Sequence, residues 1–229
     1  MTIPTRLAAA ALAGTVALSW AHTAAAQTEQ RTLSGERVAV YNLVGKLRVQ
    51  PATGNQVVVD ITRGGADARE LKIETGDVRG ANSLRIVYPA DRIIYRGDRW
   101  GNSRTQLHVN SDGTFGDGSG RDWGIWGRGN VEIRSSGSGM DAYADVTVSV
   151  PKGQRIELHL GVGEASVANV DGDIFVDVSA ARVDAQHTRG RLNLDTGSGS
   201  VTVSDAQGEV TLDTGSEGQG RLFKRMPYA

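Results

Sequence analysis

The sequence predicts an all-β, single-domain protein of the β-solenoid or β-helix-like kind, with coils of about 18 residues. Gly172, Gly190 and Gly208 recur at a period of 18, and each opens a phrase in which apolar and polar residues alternate. A fixed period with such alternation is typical of stacked coils that bury their inward faces against one another. No segment sustains the 3.6-residue apolar period of a helix beyond about two turns.

The repeat follows one template: Gly-x-Φ-x-Φ (Φ is an apolar residue), a turn rich in small polar residues, then Φ-x-Φ. It occurs near both ends of the chain, at residues 45–61 and 190–203, which indicates one domain of similar rungs. Alternation predicts an inward-facing set of side chains: Ile174, Val176, Leu192, Leu194, Val210 and Leu212. Asp195 and Asp213 are expected one above the other on turns.

Further strands are predicted wherever β-branched and aromatic residues alternate with polar ones between turn signals. In chain order these are residues 38–44, 57–61, 71–74, 83–88, 92–95, 131–134, 145–150 and 155–160. Pro151 ends one of them, because proline lacks the N–H that a strand ladder needs. Residues 64–70 have room for one helical turn.

The first 26 residues have the pattern of a secretory signal peptide. Arg6 is the only charge there, an apolar run follows, and Ala24-Ala25-Ala26 supplies small residues before the expected cleavage site. A membrane anchor is the alternative, although the run is short for a ~20-residue span. No later stretch is long and apolar enough to span a bilayer, and the protein is expected to be exported, to the periplasm or the cell surface.

Composition limits the chemistry of the remaining chain. It has no cysteine, so disulfides and thiolate metal sites are excluded. The formal net charge of the whole chain is −1, which offers no general electrostatic drive toward nucleic acid. Residues 27–35 form a polar lead-in, residues 36–216 the repeat domain, and residues 217–229 an irregular tail or cap.

Residues 96–126 form a Gly/Asp/Trp-rich insertion in that domain. Trp100, Trp123 and Trp126 all lie in it, and the coils have no tryptophan. We expect the insertion to cap one end of the solenoid, because open ends need covering. The alternative is that these three tryptophans contact a ligand by stacking on sugar rings. Asn110, Asp112, Asp117 and Asp122 leave open a calcium site there.

Two segments match the loop that carries the catalytic carboxylate of pepsin-like proteases, Asp-Thr-Gly-Ser at 195–198 and 213–216. Their spacing is that of the coil, whereas the two protease aspartates come from separate lobes or subunits, so the motif is interpreted as the coil's own turn. Asp177 occupies the same repeat position. A calcium ladder along this column is not favoured either, since one carboxylate per coil falls short of the 6–8 oxygens that Ca²⁺ takes.

No constellation of catalytic, cofactor-binding or metal-ligating residues emerges. The histidines lack ligand spacing, and His159, between Leu158 and Leu160, is expected to point outward from its strand. We therefore expect a non-enzymatic protein without cofactors.

The segments 41–51 and 57–65 and the series ending at Val203 resemble the bacterial putative-adhesin domain, a family of envelope proteins built from β-strand repeats. The resemblance covers most of residues 36–216. It implies a right-handed β-solenoid, export, and a structural, adhesion or ligand-binding role in the envelope. A surface polysaccharide or an envelope protein is the expected partner. The alternative function is a carbohydrate-active enzyme on a β-helix scaffold.

The repeat is expected to break near the C-terminus. At a spacing of 18, Val201 and Val203 would recur at 219 and 221, where the chain has Gln219 and Arg221. Leu222, Phe223 and Met226 are expected to fold over the open end if the tail is a cap. If the chain is a truncated relative, the open end should promote self-association.

Overall fold

The computed structural model describes residues 28–97, 103–116 and 129–223. It is all-β apart from one 3₁₀ turn at Ala68–Glu70, within the segment predicted to hold a helical turn. The strands are β1 Thr28–Leu33, β2 Arg37–Pro51, β3 Val57–Gly64, β4 Lys72–Val78, β5 Ala81–Val87, β6 Arg92–Ile94, β7 Arg104–Val109, β8 Gly129–Arg134, β9 Met140–Asp141, β10 Tyr143–Val150, β11 Arg155–Ala168, β12 Asp171–Gln186, β13 Arg189–Ser204 and β14 Gln207–Phe223. Among the described residues, no helix has the length and apolarity needed to cross a bilayer.

The larger sheet contains ten strands, with eight in the order β1-β3-β10-β2-β11-β12-β13-β14 and β4 and β5 attached beside β2. From β11 onward each strand pairs in parallel with the next one along the chain, so Arg155 lies beside Asp173 and Asp173 beside Arg191. The period of 18 in the sequence is therefore the distance along the chain from one strand to its parallel neighbour.

The predicted inward set occupies the core. Ile174, Val176, Leu192 and Leu194 are at most 2% exposed. Val210 and Leu212, at the same repeat positions in β14, are only partly buried against the core. The reason is that β14 is the last strand in the sheet order. Self-association through this edge stays a prediction.

Strand β2 lies in the middle of the sheet although it comes early in the chain. Its first half pairs with β5 on one side and β11 on the other, and its second half pairs with β10 and β11. After Pro51 the chain forms β3 elsewhere in the same sheet, and it later places β5 and β10 end to end beside β2. This arrangement covers β2 on both edges and brings the tip of the β4–β5 hairpin over the sheet face.

The repeated glycines have a steric cause. Gly190 and Gly208 have φ of +91° and +115°, and a Cβ there would lie 2.4 Å and 2.1 Å from the carbonyl oxygen of the glycine one repeat earlier. An L-residue would suffer both the strained φ and the clash. The repeat of Gly172, Gly190 and Gly208 is therefore a column of backbones in contact across adjacent strands.

A second column marks the corner between successive long strands. Asn169, His187 and Asp205 recur at the same period as the glycines, and all have left-handed φ, between 51° and 60°. Asparagine, aspartate and histidine are the non-glycine residues most often found in this region. At the corner, the N–H of Asn169 donates to the carbonyl of Gln186 and that of His187 to Ser204.

We expect His187→Val to lower the free energy of unfolding by about 1–2 kcal/mol, the cost of left-handed backbone for an ordinary L-residue. The His187 side chain is 59% exposed, and its contact with Asp205 at 3.4 Å is an exposed pair of little value. His187→Asn should lose nothing, because asparagine tolerates this φ. Urea denaturation of the two variants measures the difference, and equal stabilities would show that the corner carries no strain.

The insertion is partly strand, and its role as a cap stays a prediction. Strand β7 pairs antiparallel with β8 in a four-stranded sheet of order β7-β8-β6-β9. On β8, Glu132 is 8% exposed and forms ion pairs with Arg92, Arg104 and Arg134. The Arg134 hydrogen bond is the main cause that lowers the pKa of Glu132. The predicted polar lead-in likewise holds a strand, β1, which pairs antiparallel with β3.

Strand β14 continues past Ser216, so the irregular tail predicted for residues 217–229 does not begin at residue 217. The register of β13 with β14 shifts by one residue between Thr196 and Ser198, and Val203 then lies beside Leu222. One extra residue in β14 changes the offset from 18 to 19. Leu222 and Phe223 accordingly continue the strand rather than fold over its end, and Met226 lies outside the described residues.

Candidate functional site

Parallel pairing at constant register arranges the outward residues of the long strands in columns that run across the sheet. Side chains in one column repeat about every 4.8 Å, the spacing between strands. The first column is Arg37, Arg155, Asp173, Arg191 and Glu209; the second is Ala39, Glu157, Phe175, Asn193 and Thr211; the third is Tyr41, His159, Asp177, Asp195 and Asp213.

Most members of these columns on β2, β11, β12 and β13 line a groove of about 810 Å³, which we call the arginine groove. Its remaining walls are the tip of the β4–β5 hairpin (Val78, Arg79 and Ala81) and the backbone of Gly116. The groove crosses β2, β11, β12 and β13, so its length suits an extended ligand. Its lining combines guanidinium, carboxylate, amide and aromatic groups.

Ion pairs hold the arginines of the first column. Arg37 donates to Glu157 at 2.7 Å, and this hydrogen bond raises the pKa of Arg37. Arg191 donates to Glu209 at 3.0 Å and lies 3.6 Å from Asp173. Arg155 lies 3.9 Å from the same Asp173 carboxylate. Exposed pairs of this kind add little stability, but they fix guanidinium groups in a row.

Arg79 reaches the groove from a two-residue hairpin turn. Val78 pairs with Ala81, so the loop is Arg79-Gly80, with φ of 54° and 76°. Turns with positive φ at both positions favour Asn-Gly or Gly-Gly, and arginine is unusual at the first. The guanidinium lies near Tyr41: burial raises the pKa of Tyr41, and the charge of Arg79 opposes that rise.

His159 is buried, contrary to the prediction that it points into solvent. Its side chain does leave the strand on the outer face, but its exposed fraction is only 3%. Its ring stacks on Tyr41 at 4.3 Å and meets the edges of Phe115 and Phe175. The covering residues Phe115 and Gly116 belong to the insertion, so their position could not be read from the strand's own alternation.

The imidazole forms a dyad with the next residue of its column. His159 Nδ1 lies 3.1 Å from Asp177 Oδ2, and His159 Nε2 is buried without a hydrogen-bond partner among the described residues. A Cβ on Gly116 would lie 2.1 Å from the Asp177 carboxylate, so only glycine fits above it. An unsatisfied buried nitrogen in a groove wall calls for a physical explanation.

The aspartates of the two Asp-Thr-Gly-Ser segments lie side by side, as predicted, but on strands and not on turns. Burial is the main cause that raises the pKa of Asp195, and the carboxylates of Asp177 and Asp213 add to the rise. Because the two motifs are consecutive rungs of one sheet, their shared sequence follows from the repeat.

The predicted ligand-contact residues Trp100, Trp123 and Trp126 lie outside the described residues, as do Asp117 and Asp122. Of the proposed calcium ligands, Asp112 accepts hydrogen bonds from the Thr114 backbone and hydroxyl, and Asn110 also bonds to Thr114. These contacts close a turn. Within residues 28–97, 103–116 and 129–223, no three side chains of metal-ligating type gather into a possible site.

Sequence reasoning missed the arginines of the groove. A signal was present for two of them, since Arg155 and Arg191 occupy the same repeat position as Asp173. Arg37 and Arg79 could not have been found in this way, because parts of the chain outside the repeat bring them to the groove.

No protein-family model matches the chain, and no curated protein does. The family membership predicted from the resemblance therefore stays a prediction. Among solved structures, the chain matches the crystal structure of a putative cell adhesion protein from Clostridium sporogenes. That match has 13% identity and a TM-score of 0.48, and it covers 88% of this chain and 100% of that one. The match is distant, and the function proposed below rests on the groove.

Proposed function

We propose that the chain is an exported, non-enzymatic binding module of the cell envelope that holds a polysaccharide in the arginine groove. The observation that carries this proposal is the groove itself: about 810 Å³ of open space lined from equivalent positions of four parallel strands. Concave sites with aromatic walls and a few placed polar groups are the usual ligand sites of proteins. Export rests on the signal pattern of residues 1–26.

The architecture that we propose for it is a right-handed β-solenoid with coils of about 18 residues. The parallel pairing of β11, β12 and β13 at a constant offset supports it, and so does the glycine column at each rung. A scaffold of this kind displays the same position at constant spacing, which suits the repeating units of a polymer.

Binding without turnover is favoured because two of the groove's carboxylates are already held in ion pairs. Glu157 and Asp173 are engaged by arginines, an arrangement that fixes charge and positions groups. The alternative is a carbohydrate-active enzyme, and one observation favours it: Asp195 has a raised pKa, as a general acid requires.

The test is a glycan array probed with the chain purified from Gln27 onward, with product release measured on every glycan that binds. We expect binding and no products. Release of shortened glycan would establish the enzyme alternative, and Asp195→Asn should then abolish it. Absence of binding to every polysaccharide on the array would refute the proposed function.

A further inference from the structure

We propose that the arginine groove selects carboxylated glycans, polysaccharide segments that contain uronate sugars, and that Arg79, Arg155 and Arg191 pair with the sugar carboxylates. The inference rests on the proposed function, because it names the class of glycan that the same groove takes. Three properties of the groove support it: the exposure of the guanidinium groups, the strain at Arg79 and the hydrogen-bonding capacity of the lining.

The arginines of the first column retain capacity for a ligand. The side chains of Arg155 and Arg191 are 55% and 53% exposed, and Asp173 lies 3.9 Å and 3.6 Å from them. Arg191 also donates to Glu209. Each guanidinium carries five N–H donors, more than these contacts use. A planar fork of donors held at fixed spacing recognises carboxylates by two parallel hydrogen bonds.

Arg79 is held over the groove at a conformational cost. Its φ of 54° lies in the left-handed region, where asparagine or glycine would be less strained. Residues kept in such conformations cluster at ligand sites, where the strain serves a function. The hairpin tip places this guanidinium on the wall opposite the first column, so cationic groups face the groove from two sides.

The groove also contains carboxylates, and these distinguish a uronate from other anions. Glu157, Asp173 and Asp195 line it. Glu157 and Asp173 already pair with arginines, but each carboxylate has further lone pairs that can accept a hydrogen bond. An acidic peptide brings side chains that are acceptors only, and its donors are confined to the backbone N–H groups. A uronate ring carries hydroxyl donors beside its carboxylate, and therefore satisfies both the arginines and the acids.

Two further groups suit a sugar ring. Phe175 is half-buried and stands between the arginine column and the aspartate column, where it offers apolar surface to the ring. In the same groove, His159 Nε2 lacks a partner among the described residues. A ligand hydroxyl that reached this atom would satisfy it.

The test is calorimetric titration of the purified chain with three probes: a hexagalacturonate, the same hexamer with its carboxylates reduced to alcohols, and poly-glutamate of matched charge. We expect the hexagalacturonate to bind at least about tenfold tighter than either of the others. Its affinity should fall as salt is raised, because its ion pairs are exposed to solvent.

The variants are Arg79→Asn and Arg191→Gln, and each is expected to weaken hexagalacturonate binding by about tenfold or more. Arg79→Asn should leave the thermal midpoint unchanged or raise it, since asparagine suits the turn, so lost binding cannot be ascribed to misfolding. The matched control is Arg69→Gln, which removes an exposed arginine from the 3₁₀ turn outside the groove lining and should not alter affinity.

The outcomes separate the two proposals. Equal binding of the charged and reduced hexamers would overturn the selection of carboxylates and leave glycan binding intact. Equal or tighter binding of poly-glutamate would overturn it as well and assign the groove to an acidic polypeptide. An unchanged affinity in both Arg79→Asn and Arg191→Gln would overturn the site, and failure of every glycan to bind would overturn the proposed function itself.

Discussion

Replacing Gly163 with alanine is expected to lower the free energy of unfolding by about 3 kcal/mol or more, the combined cost of a strained φ and of overpacking. Gly163 has φ of +144°, and a Cβ there would lie 1.8 Å from the carbonyl oxygen of Gly45 on the neighbouring strand. Because the obstructing atom is backbone, no side-chain rotation relieves the clash. Strands β2 and β11 would have to separate, next to the centre of the sheet.

Two glycines serve as matched controls that separate the two costs. Gly153 has φ of +77° with nothing within 4 Å of an added Cβ, so Gly153→Ala carries only the backbone strain, about 1–2 kcal/mol. Gly54 has open space and no positive φ, and Gly54→Ala should be neutral or slightly stabilising. Urea denaturation should give Gly163→Ala a much lower free energy of unfolding than Gly153→Ala. Similar losses of stability in the two variants would show that stacked backbones do not require glycine.

The second large effect is expected at a buried polar network where β2 meets β10. Tyr88 is fully buried, and its hydroxyl lies 2.9 Å from both Asn42 Oδ1 and the carbonyl oxygen of Val44. The Asn42 amide donates to the carbonyl of Ala144 at 2.7 Å. Burial raises the pKa of Tyr88 far above its usual range, which keeps its hydroxyl a donor at every ordinary pH.

We expect Tyr88→Phe and Asn42→Leu each to cost about 1–3 kcal/mol, since each leaves a buried group of the other residue or of the backbone unpaired. Leucine is the apt replacement, because Leu160 fills the same repeat position on β11. The double variant should cost about 1 kcal/mol less than the sum of the two single variants. In each single variant one partner of the Tyr88–Asn42 hydrogen bond is left unpaired, whereas in the double variant both partners are gone. The cycle is measured by chemical denaturation.

Tyr143→Phe is the control for this cycle. Tyr143 begins β10 and is only partly buried, so removal of its hydroxyl should change stability by less than about 0.5 kcal/mol. Strict additivity of Tyr88→Phe and Asn42→Leu would contradict the network.

Much of the fold follows from local pattern. Alternation and the recurrence of Gly172, Gly190 and Gly208 predict the strands of the repeat, their register and the burial of Leu192 and Leu194. The prediction succeeds because each rung contacts chiefly its neighbours, so one period in the chain becomes one spacing in space. It fails at β14, where a single extra residue shifts the register, because one irregular residue cannot be recognised from a period.

Contacts between distant parts of the chain decide the rest. His159 has the alternation of an exposed residue and is buried because Phe115, from the insertion, packs against it. Arg79 joins the groove because β5 pairs with β2, and Arg37 joins because β2 lies between β5 and β11. A sequence pattern records the periodicity of neighbours along the chain, whereas these pairings depend on the free energy of packing the whole sheet.

The sequence by itself thus determines that the chain forms strands, that neighbouring strands are offset by a constant number of residues, and that glycines form columns. All three arise from steric and periodic constraints within one repeat. The arginine groove is decided only by tertiary structure. Its walls come from the repeat, from the β4–β5 hairpin and from the insertion, and a site assembled from three separate segments exists only once the long-range strand pairings have formed.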